Sequence, residues 1–146
     1  MNGWQLEVRD TGRVVIERLV IADRFWNRLC GLQFRHPLPP GHGILLVPCA
    51  SIHTMWMRFA IDVAMLDRTG RVLAVRETIR PWRLVFAPRG THAVLEASAG
   101  TLCLLAGDIV AFRSHVGQSS PPALLASFSV VISKRFPKPG RDDLDF

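Results

Sequence analysis

The chain has 146 residues, of which 49% are apolar and 21% charged, with a formal net charge of +6. That length suits one domain with a real core, and the composition excludes a low-complexity or natively unfolded chain. No apolar run reaches the ~18 residues of a membrane span, and the start Met1-Asn2-Gly3-Trp4 lacks the basic and apolar regions of a secretory leader, so the expected compartment is the cytoplasm.

Residues 13–20, rich in Val and Ile, read as a strand. Asp23 is placed to cap a short helix over residues 23–30, which Gly31 ends. Residues 35–43 are dominated by Pro and Gly and form a loop. Residues 44–47 are a buried strand that stops at Pro48. Residues 59–66 and 72–75 make the clearest hairpin. Its connection, Asp67-Arg68-Thr69-Gly70, has Asp first and Gly fourth, as a type I turn prefers, and a left-handed Gly70 would add a bulge. Residues 79–90 are irregular, broken by Pro81 and Pro88. Residues 92–97 are a strand, residues 102–105 suit either strand or helix, and Gly107-Asp108 turns into a strand over 109–112.

Many short strands with Pro and Gly punctuation predict a mainly β fold, a compact sandwich or barrel with one short helix near residues 23–30. A single β domain is expected over residues 1–113, then a linker over 114–122, then an extra strand and a flexible charged tail within 123–146. Of the 18 basic residues 16 are Arg, spread along the whole chain rather than gathered in a patch, which argues against a nucleic-acid partner. The three cysteines, Cys30, Cys49 and Cys103, are odd in number and widely spaced, which fits neither a disulfide framework nor a thiolate zinc site.

Several pieces of the chain, in order, resemble the uncharacterised conserved family called domain of unknown function 192. They are Ala22-Asp23, Arg28-Leu29-Cys30-Gly31-Leu32 with Phe34-Arg35, and Gly43-Ile44-Leu45-Leu46. Further along come His53-Thr54 with Met57, Ile61-Asp62-Val63, Gly70-Arg71-Val72, Val94-Leu95-Glu96, Gly100 and Gly107-Asp108. The resemblance runs over about residues 20–112, and Cys49-Ala50-Ser51-Ile52-His53-Thr54 resembles a distinct branch. It implies a compact, jelly-roll-like β fold and no particular activity. Many members of the family look exported.

The candidate site residues centre on the stretch from Cys49 to Asp62. Asp62 alternates with Ile61 and Val63 and shares a face with Ala60, Ala64 and Leu66, and since neither face is clearly polar it should be at least partly buried. A buried carboxylate demands a partner, and Arg28, Arg58 and His53 are the natural choices, with an Asp62–Arg28 ion pair as the structural reading. His53, Asp62 and Cys49 are also the candidates for catalysis. On an extended strand Cys49 and His53 would sit about 13 Å apart, too far for a thiol–imidazole dyad. Asp62 and Glu96 form an acid pair only if they face each other. The histidines, cysteines and carboxylates show no metal-ligand spacing, and no cofactor is expected.

The most suggestive binding set is His53, Trp56 and Arg58 with Arg80 and Trp82. Indole faces stack on rings, and guanidinium forks grip anions. The opposing reading puts both Trp residues into the ends of the barrel. The sequence therefore favours a non-catalytic binding or accessory module for a small polar or anionic ligand, with a sugar among the candidates. A hydrolase using Asp62 with His53 or Cys49 is one alternative, and a protein–protein adaptor for an envelope assembly is another. Oligomeric state is not encoded in any visible pattern.

Overall fold

The computed structural model describes residues 4–22 and 37–114. Among these residues nine strands appear in chain order: β1 (Trp4–Val8), β2 (Val14–Ala22), β3 (His42–Leu46), β4 (Ser51–His53), β5 (Ile61–Leu66), β6 (Val72–Ile79), β7 (Leu84–Phe86), β8 (Ala93–Ser98) and β9 (Val110–Ser114). Seven of them form one sheet in the order β6-β5-β8-β3-β2-β1-β9, and β4 pairs with β7 in a separate two-stranded ribbon. The β2–β3 pair is parallel and every other pair is antiparallel.

The large sheet curls into a half-barrel. Its two outermost strands approach each other at one end, where Arg71 bridges Ile109. The amides of Val72 and Val110 donate to the carbonyls of Asp108 and Gly70 across that seam. Closure of this kind satisfies edge groups that would otherwise template aggregation.

Alternation sorts the side chains into two apolar clusters. Trp4, Leu6, Leu45, Ala64, Leu66, Leu95 and Phe112 pack on the concave side. Ile44, Ile61, Val63, Met65 and Val94 pack on the other side, where Ile52 from β4 and Val85 from β7 cover them. The ribbon is therefore anchored by one face, and its other face points away from the core.

The β5–β6 hairpin follows the predicted turn. Asp67 O accepts from the Gly70 amide at 3.1 Å, and Gly70 takes φ 82°. Asp67 Oδ1 accepts from the amides of Thr69 and Arg71 at 2.8 and 3.0 Å. Burial opposes ionisation of Asp67, but these bonds and the Thr69 hydroxyl outweigh it and hold its pKa below the ordinary carboxylate value.

The mainly β fold and strands β2, β3, β5, β6, β8 and β9 match the expectation from sequence. Strands β1, β4 and β7 are additional to that expectation. Residues 102–105 are neither strand nor helix: Leu102 and Leu104 point into the concave core while Cys103 and Leu105 face outward, without ladder bonds. The helix expected over 23–30 and the linker and tail expected beyond Ser114 lie outside the described residues, and among the described residues there is no helix.

Candidate functional site

Thr54 is the residue that assembles the site. It is fully buried just past β4. Its amide donates to Arg83 O at 2.8 Å, and its carbonyl accepts from the amides of Met57 and Trp82 at 3.2 and 2.9 Å. Its hydroxyl donates to Arg80 O at 2.7 Å and accepts from the Arg83 amide at 2.8 Å. One side chain and its peptide thus bind two irregular stretches, residues 54–57 and 80–83, into a single unit.

That unit carries the two indoles. Trp56 and Trp82 both take φ 64°, a left-handed conformation that costs a non-glycine residue about 1–2 kcal/mol. Their rings meet edge to face, with centroids 4.8 Å apart and planes at 61°. Both stay open to solvent, 56% and 54% exposed. The reading that they close the ends of the barrel is therefore corrected. The antiparallel β4–β7 register is what brings them together, since it pairs His53 with Leu84 and aligns the segments that follow and precede these residues.

The surroundings are positive and apolar. Arg58, Arg80, Arg83 and Arg89 are exposed, and neither residues 47–61 nor residues 79–95 contain an Asp or Glu. Leu84 and Phe86 pair with His53 and Ser51 on the outer face of the ribbon and are 61% and 76% exposed. His53 itself is half-buried. Burial, then the charge of Arg68, hold the pKa of His92 below the ordinary imidazole value, and its carbonyl accepts from the Cys49 amide.

Asp62 occupies a different place. It lies on the face of Ala64 and Leu66, as alternation predicted; that face is the concave one, and Asp62 is buried there. Among the described residues its partners are backbone amides: Thr78 donates to Oδ1 at 2.9 Å, and Gly100 and Leu102 donate to Oδ2 at 2.9 and 3.2 Å. The Thr78 amide is available because β6 bulges there. Ile61 pairs with Ile79 but Val63 pairs with Arg76, so Glu77 and Thr78 together oppose Asp62, with Thr78 at φ 51°. The Asp62–Arg28 ion pair expected from sequence involves a residue outside the described ones. Asp62 also lines a cleft of about 450 Å³ with Arg13, Thr78, Gly100, Leu102 and Cys103.

Catalytic groupings do not emerge from these positions. Cys49 Sγ donates to Ser51 O at 3.1 Å, a contact that requires the protonated thiol rather than the nucleophilic thiolate. Asp62 and Glu96 cannot act as a pair, because Asp62 pairs with Ala97 on the concave face while Glu96 pairs with Val63 and Ile44 on the other. Among the described residues no three His, Cys, Asp or Glu converge as metal ligands, and no helix is long and apolar enough to cross a membrane.

Glu96 is the feature whose environment sequence reasoning undervalued. It is 4% exposed, and among the described residues its Oε2 has no hydrogen-bond partner. Burial alone raises its pKa from 4.5 to about 7. The signal was the apolar run around it, Val94-Leu95-Glu96-Ala97, which permits burial on either face.

A family model for DUF192, described as Uncharacterized ACR, matches residues 6–111. The chain belongs to that family. A UPF0127 protein of Pyrococcus abyssi is 34% identical over 89 residues, covering 57% of this chain and 73% of the relative. A UPF0127 protein of Thermococcus sibiricus is 33% identical over 106 residues, covering 67% of this chain and 66% of the relative. Among solved structures, a protein of unknown function from Novosphingobium aromaticivorans superposes with a TM-score of 0.61 at 23% identity, covering 74% of this chain and 82% of its own. A chain from Sinorhizobium meliloti gives the same TM-score at 21% identity, covering 75% and 91%. At those identities the likeness is one of fold. DUF192 is an uncharacterised family, so membership brings no reaction with it.

Proposed function

We propose that this DUF192 chain is a non-catalytic binding module that recognises a small polar or anionic ligand on the surface formed by His53, Trp56, Arg58, Arg80 and Trp82. The observation that carries this reading is the pair of left-handed, half-exposed tryptophans. Two strained non-glycine residues are retained side by side at the surface, where a glycine would fit the backbone better. Strain that the surrounding structure enforces is concentrated at ligand-binding positions. Thr54 supplies that enforcement from below.

The chemistry of the surface suits an anion or a ring. Exposed indole edges and faces offer stacking and C–H contact to a sugar or another planar group. The flanking guanidinium groups offer forked donors to phosphate or carboxylate. The rival hydrolase reading loses support from the same geometry, since Cys49 donates as a thiol and Asp62 is committed to three amides.

The test is ligand-induced stabilisation of the full chain by inorganic phosphate, citrate and a panel of mono- and disaccharides. Stabilisation by at least one, lost in Trp82→Ala and in Arg80→Gln, is the expected result. No stabilisation by any of them sinks the reading.

A further inference from the structure

The small-ligand surface accounts for the tryptophans and arginines but not for Leu84 and Phe86. These two are more exposed than either tryptophan, at 61% and 76%, and they stand on the outer face of the β4–β7 ribbon. Met55, Trp56 and Trp82 extend the same exposed apolar surface from the adjoining loops. Exposed large apolar groups that adjoin one another mark a place where something is bound. Every ionised side chain of fixed charge in the two contributing segments is an arginine: Arg58, Arg80, Arg83 and Arg89.

We propose that the outer face of the β4–β7 ribbon docks on an anionic phospholipid bilayer, with Trp56, Trp82, Leu84 and Phe86 entering the interface and the arginines meeting the headgroup phosphates. This rests on the binding reading above and names the display of its anionic ligand: the phosphate of a lipid headgroup, held in a surface rather than free. Tryptophan favours the headgroup level of a bilayer because its ring is apolar and its N–H is polar. Leucine and phenylalanine gain by leaving water for the acyl boundary. Single-signed cations beside them complement a negative membrane surface and would be repelled by a positive one. The rigid fixation of the two loops by Thr54 presents these groups without a large ordering cost.

The experiment is co-sedimentation of the full chain with phosphatidylcholine vesicles and with vesicles of phosphatidylcholine and phosphatidylglycerol. Binding is expected to the mixed vesicles only, with a blue shift of tryptophan emission and loss at high salt. Arg80→Gln with Arg83→Gln should weaken it about 25-fold, roughly fivefold for each cation taken from an anionic surface. Leu84→Ser with Phe86→Ser should abolish it while leaving stabilisation by inorganic phosphate intact. Both side chains face solvent, so the thermal unfolding of these variants should match that of the parent chain. Failure to sediment with the mixed vesicles, or equal sedimentation with both kinds, overturns the lipid proposal. If phosphate, citrate or a saccharide still stabilises the chain in that case, the binding reading survives alone, and if none of them does, both fall. Binding of an acidic peptide such as polyglutamate without any vesicle binding overturns it in favour of a protein partner.

Discussion

Thr78 turns its backbone amide onto Asp62 Oδ1 at 2.9 Å from a left-handed conformation that the β6 bulge imposes. The carboxylate and the bulge explain each other. Without Asp62 the displaced amide would lose its protein acceptor, and without the bulge Asp62 would lack a donor on β6. The other oxygen ties in the turn after β8 through Gly100 and Leu102, so one residue on β5 joins three segments of the half-barrel.

Asp62→Ala should therefore be among the most damaging single changes in the chain. It removes the shared acceptor of three backbone amides, and charge-assisted hydrogen bonds contribute about 1.5–3 kcal/mol each. A loss of at least about 3 kcal/mol is expected, read as a fall in the urea midpoint. Asp62→Asn should fall between parent and alanine, because its amide keeps one acceptor oxygen but turns a donor toward the remaining amides. A parent-like midpoint for alanine would show that the carboxylate is not the anchor described.

Glu96 gives a pH dependence of a defined sign. Below pH 4.5 the carboxyl is neutral in folded and unfolded chains alike. Between 4.5 and about 7 the unfolded chain ionises and the folded one holds its proton, so stability falls as pH rises through that window. The loss amounts to about 3 kcal/mol once both states are charged. Glu96→Gln should flatten this slope and raise the urea midpoint at about pH 8 relative to the parent, with little difference at about pH 4. An unchanged slope in the variant would assign the pH dependence elsewhere.

These two carboxylates show where sequence stops being informative. Alternation placed Asp62 on the face of Ala64 and Leu66, and it lies there, because a strand's period of two is a local property. Its partners come from residues 78, 100 and 102: the Gly100 turn is local, with Gly100 at φ 78°, but the β6 bulge that frees the Thr78 amide and the convergence of these amides on residue 62 are not. The Asp67–Gly70 turn was legible because Asx bonding and a left-handed glycine are likewise local. The meeting of Trp56 with Trp82 was not, since it depends on pairing Ser51–His53 with Leu84–Phe86 across more than thirty residues. Strand β1 carries a local signal of its own: Trp4, Leu6 and Val8 alternate, and all three are buried in the concave core.

Thr54 provides a test of how the two tryptophans are held. Thr54→Val preserves shape but removes the donor to Arg80 O and the acceptor for the Arg83 amide. A loss of about 1–3 kcal/mol is expected, as for other buried groups left unpaired. Near-ultraviolet circular dichroism should lose intensity from the coupled indoles as the loops come apart. Thr54→Ser, which keeps the hydroxyl, should retain that signal, and a Thr54→Val spectrum identical to the parent's would remove Thr54 from its assigned role.

The strain at the tryptophans can be measured directly by comparing glycine and alanine at each position. In an ordinary strand or helix alanine is the more stable, because glycine has more freedom to lose. At φ 64° the order should reverse, since alanine keeps the Cβ that clashes in the left-handed region and glycine does not. Trp56→Gly is expected to be about 1 kcal/mol more stable than Trp56→Ala, and Trp82→Gly likewise against Trp82→Ala. Both pairs lack the indole, so the edge-to-face contact, which contributes about 0.5–1.5 kcal/mol, cancels from each comparison. Urea unfolding of the four variants supplies the measurement. If alanine is as stable as glycine at both positions, the backbone there is relaxed and strain does not mark this surface as a binding site.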